Sequence, residues 1–475
     1  MTQTPFEFLL PRMEGADLEK EKGLSRYAAL VDKGVAGFIL FGGKLEAVKA
    51  GLTELQRRAS TRLVSMPLII ASDLERGLGQ QVKGGTVLPS AMAIGSAYEA
   101  GIGEDTLKRT FSCLAAQARW AGINMIFAPV LDINSNPENP IIATRAFREE
   151  PETVSRLGVL MIEEIEKQGV YACGKHYPGH GDTHEDSHSA MPVVEKDFKA
   201  LEEFELKPFR AAIRAGVSAI MTGHLKIPLI DPSGLPATMS KKAIGYLREQ
   251  LGFKGLVVTD ALNMAGTGMK EEQAAGLALE AGANILLHPL DPDKTAGYLL
   301  SKKSKKKADA GLLREKRMAL LSLPAPEEPD FESCGELSKQ IAFKAIKLEG
   351  QVRKIETFGL SVIVLSDNPQ KLLPFTKTLE ELAPGIKVIV NPGRDAKKRP
   401  EGNLLLAVHS TPEAWKPPTP ALKENIGKYS ASDAPWLSFG NPYVIPRVKN
   451  RVLTYSDTDD IQREMAKRIA AGRLD

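Results

Sequence analysis

Glu166-Lys167-Gln168-Gly169 runs straight into Val170-Tyr171-Ala172-Cys173, and the way that junction is built decides the fold. A glycine just past a helix takes the left-handed conformation that ends it. A short, continuous apolar run is how a strand buried on both faces reads. The same junction recurs along the chain. Ala118-Arg119-Trp120-Ala121-Gly122 precedes Ile123 to Leu131, and Ala215-Gly216 precedes Val217 to Met221. Leu251-Gly252-Phe253-Lys254 precedes Gly255 to Thr259, Ala281-Gly282 precedes Ala283 to Leu287, and Lys33-Gly34 precedes Val35 to Phe41. Pro67 to Ser72 adds another apolar run. Seven buried strands spaced by helix-length segments predict an α/β fold with a TIM-like (β/α) barrel. The eighth strand has no clear signature. An open doubly wound sheet is the competing arrangement, but these strands carry no phosphate-binding glycine fingerprint.

Beyond the barrel the composition shifts. Ser301 to Lys307 is a lysine-rich run, read as a solvated surface. Pro324-Ala325-Pro326-Glu327-Glu328-Pro329 reads as a stiff, exposed linker. Strand candidates then resume at Leu360 to Leu365, Lys387 to Val390, Leu404 to Val408, Trp436 to Phe439 and Val452 to Tyr455, with helical stretches at Asp330 to Lys347 and Gln370 to Leu382. The expected organisation is a TIM-like barrel over 1–322, a linker and connecting helix over 323–350, and a smaller α/β/α sandwich over 351–475.

Composition narrows the function. The 475 residues are 43% hydrophobic and 25% charged, an ordinary globular balance, and the net charge of +3 gives no basic face for nucleic acid. Met1 to Arg12 lacks a basic segment followed by a long apolar run, and no stretch is apolar enough to span a bilayer, so a cytoplasmic protein is expected. Cys113, Cys173 and Cys334 are too few and scattered for a disulfide scaffold, and are read as small buried hydrophobes.

Ionisable residues collect where the apolar runs end: Asp73, Asp132, Lys175 with His176, His224, Asp260 and His288. In a barrel those positions face the site of chemistry. Each one alone could equally cap a helix or turn. Four of the seven histidines lie in Lys175-His176-Tyr177-Pro178-Gly179-His180-Gly181-Asp182-Thr183-His184-Glu185-Asp186-Ser187-His188. Their spacing of four residues would make a helical ligand ladder, but Pro178, Gly179 and Gly181 break helices. The stretch therefore reads as a loop that moves protons and grips hydroxyls, and a zinc site on His176, His180, His184 and His188 is disfavoured. Asp186-Ser187-His188 sets a carboxylate two residues from an imidazole, where it can orient the ring for proton transfer. Asp260 could act as nucleophile, base or helix cap; Arg145 as a substrate donor or a structural cation.

The histidine loop, with its following Asp186-Ser187-His188, resembles the K-H-[FY]-P-G-H-G…D-S-H signature of glycoside hydrolase family 3, in its bacterial β-N-acetylglucosaminidase branch. Phe127 to Asn134, Asn139-Pro140 with Arg145-Ala146-Phe147, Met221 to His224, Pro236 to Ser240 and Val258 to Met264 match in the same order. The resemblance implies a retaining exo-β-N-acetylglucosaminidase with no cofactor or metal, acting on a GlcNAc-containing glycoside, with peptidoglycan fragments as the natural source. It implies Asp260 as nucleophile and Asp186–His188 as an acid/base dyad. Asp73, Arg145, Lys175, His176, Asp132 and His224 fall at substrate-binding or framing positions. The same family contains a phosphorylase variant and β-glucosidases or β-xylosidases. The latter generally lack the Asp-Ser-His element. A binding protein built on a retired barrel would have lost the nucleophile and dyad, which are present here. One run departs from the pattern: the usual Asp-x-Glu-Gly-Gly-Arg is Asp73-Leu74-Glu75-Arg76-Gly77-Leu78-Gly79.

Overall fold

The glycine junctions end helices as expected. Gly34 has φ 98°, and its N–H donates to the carbonyls of Leu30 and Val31 at the end of helix Glu21–Lys33. Gly282, φ 112°, does the same for helix Glu271–Ala281. In this computed structural model the described residues are 4–62, 65–183, 191–194, 196–302, 310–392, 403–411 and 418–475. The chain divides into two units. The first comprises Met1–Val87, Leu107–Asn139 and Glu149–Cys334; the second comprises Leu88–Thr106, Pro140–Arg148 and Gly335–Asp475.

In the first unit, strands Gly37–Phe41, Ile69–Ser72, Met125–Ile126, Tyr171–Tyr177, Ala219–Thr222 and Leu256–Thr259 lie side by side in chain order. All pairings are parallel. Leu286–Leu287 follows, tied on by a Val258–Ile285 bridge. The missing eighth strand is the N-terminal segment. Leu9–Leu10 pairs with Leu286–Leu287, while Arg12–Glu14 pairs with the Gly37–Phe41 strand. One extended segment, broken at Pro11, therefore touches both edges of the sheet and closes the barrel. Leu9, Leu10 and Met13 are fully buried, as a closing strand requires. The expected run Ile123 to Leu131 contains a strand only at Met125–Ile126. Pro129 has no N–H to continue the ladder.

Cys113 and Cys334 form a disulfide within this unit, with Cα atoms 5.8 Å apart. This corrects the reading of both as simple buried thiols. Their 221-residue separation left no local spacing signal. Cys173 is a free, buried thiol, whose pKa burial pushes up.

The second unit holds a six-stranded sheet. Its order is Lys347–Glu349, Arg451–Leu453, Trp436–Gly440, Leu404–Ser410, Ser361–Ser366 and Lys387–Val390, parallel throughout except for the antiparallel first strand. Helices Leu373–Leu382 and Asp459–Ala470 pack on it through Phe375, Leu379, Ile461, Met465 and Ile469, which share one core with Val362, Val364, Leu405 and Leu437. The edge strand Lys347–Glu349 lies where the sequence suggested only the end of a helix.

Candidate active site

The barrel places its ionisable residues where its strands end. Asp73 follows Ile69–Ser72, Lys175 and His176 lie within Tyr171–Tyr177, Asp260 follows Leu256–Thr259, and His288 follows Leu286–Leu287. Strands buried on both faces are rigid, so side chains at their ends are held accurately.

Lys175 is 2% exposed, and its ammonium is gripped by two carboxylates, Asp73 Oδ1 at 2.7 Å and Glu75 Oε1 at 2.6 Å. A buried cation is tolerable only when paired in this way. Glu75 was not expected in the site. It is the glutamate that survives in the altered Asp73–Gly79 run. There the Arg76 N–H donates to Gln80 Oε1 at 2.7 Å, and Gly77, φ 79°, leads into the turn Leu78–Gln80.

Asp132 is fully buried beside them. Its Oδ2 accepts from His176 Nδ1 at 2.6 Å, and its Oδ1 accepts from the backbone N–H groups of His176 and His180, at 3.1 and 2.8 Å. Burial works to raise the Asp132 carboxyl, but the adjacent His176 and these N–H donors hold it below the usual carboxylate range. The Lys175–His176 and Tyr177–Pro178 peptide bonds are cis.

Asp260 is only partly buried. Its N–H donates to the Thr222 carbonyl at 3.0 Å, extending the strand ladder, and its Oδ1 accepts from the Ala261 N–H at 2.7 Å. His224, fully buried, spans from Thr238 Oγ1 through Nδ1 to the Ala261 carbonyl through Nε2, both at 3.0 Å. Ala261, the residue after Asp260, is thus held at both its N–H and its carbonyl. His288 has φ 54°, a strained conformation for a histidine, and burial, then the Arg12 guanidinium, pushes its pKa down to about 4.

The profile of the Glycosyl hydrolase family 3 N terminal domain matches residues 14–319. The chain belongs to glycoside hydrolase family 3. It is 36% identical over 275 residues to a beta-hexosaminidase of Neisseria meningitidis, covering 56% of this chain and 74% of that protein. It is also 36% identical over 275 residues to beta-hexosaminidase A of Pseudoalteromonas piscicida, covering 54% of this chain and 46% of that protein, so it spans about half the length of that relative. The solved structure of a glycoside hydrolase family 3 beta-N-acetylglucosaminidase from Paenibacillus matches 98% of this chain and 96% of that one, with 27% identity and a TM-score of 0.82.

The family's histidine loop is folded back on the segment that follows strand Met125–Ile126. His180 Nδ1 meets Thr183 Oγ1 at 2.7 Å, and Asn139 Nδ2 donates to the carbonyls of His180 and Thr183 at 2.8 and 3.1 Å. Gly181 passes so close to the Ile133 carbonyl that a Cβ there would sit 1.6 Å from its oxygen. Burial pushes His180 down to about 4, which leaves it neutral at pH 7, although Asp132 and Asp260 act in the opposite sense. His176 and His180 commit their Nδ1 atoms to different partners, with their rings nearly perpendicular. Among the described residues, no group of three or more His, Cys, Asp or Glu could hold a metal ion.

Of the family's expected site residues, the barrel unit holds Asp73, Asp132, Lys175, His176, His224 and Asp260. Arg145 lies in the second unit, in the turn Ala143–Arg145, where its Nη1 donates to the Ile141 carbonyl at 3.2 Å. Asp186 and His188 lie outside the described residues.

Proposed function

We propose that this glycoside hydrolase is a retaining exo-β-N-acetylglucosaminidase that removes terminal β-GlcNAc. The carrying observation is the placement of Asp260: a strand-end carboxylate, partly open, whose following peptide is clamped by the Ala261–His224 contact. The beta-hexosaminidase names of its relatives support the sugar. In this reading the Asp260 carboxylate attacks the anomeric carbon and forms a glycosyl ester. His188, oriented by Asp186, gives its proton to the departing glycosidic oxygen, then takes one from the water that releases the sugar. A histidine suits the acid role. Its ordinary pKa of about 6.5, against about 4.3 for glutamate, leaves a useful protonated share near neutral pH without a large burial-driven shift. Asp73, held by Lys175, and His176, held by Asp132, grip the sugar's hydroxyls, with Arg145 as a further substrate donor. The natural substrate is taken to be peptidoglycan fragments within the cytoplasm.

A hydrolysis screen of nitrophenyl glycosides tests the reading. Asp260→Ala is expected to abolish turnover on the N-acetylglucosaminide, and His188→Ala to lower it about 10²–10⁴-fold. Near-normal turnover by Asp260→Ala, or a preference for the glucoside or xyloside, would overturn it. Equal rates with and without inorganic phosphate are expected for hydrolysis; a strong dependence on phosphate would make the enzyme a phosphorylase.

A further inference from the structure

Beneath the histidine loop lies a carboxylate that the mechanism above does not use. Glu205 ends the turn Leu201–Glu205 and is 1% exposed. It sits under Gly179: a Cβ on that glycine would lie 2.7 Å from Glu205 Oε2. Glu205 Oε1 is 2.8 Å from Lys196 Nζ, and the same ammonium lies 3.3 Å from Asp182 Oδ2. Asp182 Oδ1 in turn accepts from Ser135 Oγ at 3.2 Å, and the ring of Phe204 lies 4.9 Å from the Lys196 ammonium. One cation is therefore shared by two carboxylates, one of them inside the protein.

Such an arrangement is a poor way to gain stability. A buried ion pair often gives no more than an apolar pair of the same volume, because desolvation offsets attraction. Glu205 also leaves Oε2 without a hydrogen-bond partner among the described residues. What the arrangement does achieve is positional. Asp182 precedes, and Lys196 follows, the chain segment whose sequence carries Asp186 and His188, so their ion pair ties its two ends together over Glu205. Lys196, Asp182 and Asp132 are the charged groups that act on Glu205.

We propose that Glu205 is a positioning residue for the acid/base step: through Lys196 it fixes Asp182, and so the base of the segment that carries the proton donor. The inference rests on the reading of His188 as acid/base. Glu205 touches neither substrate nor the reacting atoms; it acts through Lys196 and Asp182.

Leaving-group dependence tests it. A 2,4-dinitrophenyl N-acetylglucosaminide leaves without a proton, whereas a poor leaving group such as chitobiose needs one. Glu205→Gln is expected to lower kcat/KM on chitobiose about 10-fold or more, a part of the ~10²–10⁴-fold that acid–base assistance supplies, while changing the dinitrophenyl rate much less. Lys196→Met should show the same split, and Lys196→Arg should recover most of it; this second pair decides the matter if Glu205→Gln folds poorly. Equal losses on both substrates, or none, would overturn the inference. His188→Ala is measured alongside. If it shows the split and the Glu205 and Lys196 variants do not, only this inference falls. If His188→Ala shows no split, the acid/base reading falls and takes the inference with it.

Discussion

His224 and Ala261 meet through a hydrogen bond of 3.0 Å, from the imidazole Nε2 to the carbonyl of the residue after Asp260. His224 is completely buried. It holds the carbonyl of Ala261, the residue whose N–H bonds the Asp260 carboxylate. Replacing it with phenylalanine leaves the Ala261 carbonyl without this donor, a penalty of about 1–3 kcal/mol. If that penalty falls on the reacting geometry, kcat drops roughly 5- to 150-fold with little change in KM. Steady-state kinetics of His224→Phe checks this; a rise in KM with unchanged kcat would place His224 in substrate binding instead.

Lys175 lies between Asp73 and Glu75, with its ammonium 2.7 and 2.6 Å from a carboxylate oxygen of each. Lys175→Met would remove the ammonium that both carboxylates share. Breaking a buried pair from one side costs about 3–5 kcal/mol. The variant is expected to melt at a clearly lower temperature and to lose affinity for sugar. Thermal melting and inhibition by free GlcNAc check both outcomes.

Glu205 makes a prediction about pH as well as rate. Burial, partly offset by Lys196, raises its carboxyl to about 7. In the unfolded chain it returns to the ordinary range of about 4.3. The folded state therefore holds its proton more tightly, and this contribution is complete below the unfolded pKa. It is lost as pH rises towards 7 and changes little beyond. Wild type should lose stability relative to Glu205→Gln between about pH 4 and 7. Melting curves of both across that range check it; a constant difference would contradict it.

The Cys113–Cys334 bridge closes a long loop, and such a bond typically contributes about 2–4 kcal/mol. The denatured, unreduced protein should titrate one thiol, Cys173, and the reduced protein three. Reduction should lower the melting temperature. Three thiols before reduction would show the bridge unformed, which is the state a reducing cytoplasm favours.

Six strands of the barrel were legible because a helix, a left-handed glycine and an apolar run recur in phase, and Pro67 to Ser72 was legible from its apolar run alone. The eighth was not, because no glycine junction leads into Leu9–Glu14 and the segment is split at Pro11 between two partners. The site was legible wherever strand ends carry charge, as at Asp73, Lys175 and Asp260. Glu75 was hidden by the altered glycines around it. Glu205 was hidden because Leu201-Glu202-Glu203-Phe204-Glu205 reads as a solvated acidic turn, and only tertiary packing buries its last carboxylate.

The central claim is that Asp260 attacks the sugar. A 5-fluoro-N-acetylglucosaminyl fluoride, which reacts readily and hydrolyses slowly, should trap the covalent intermediate. Peptide mass spectrometry is then expected to find one added sugar on the peptide containing Thr259-Asp260-Ala261. A sugar attached to any other residue, or steady turnover with no labelled peptide at all, would contradict the account.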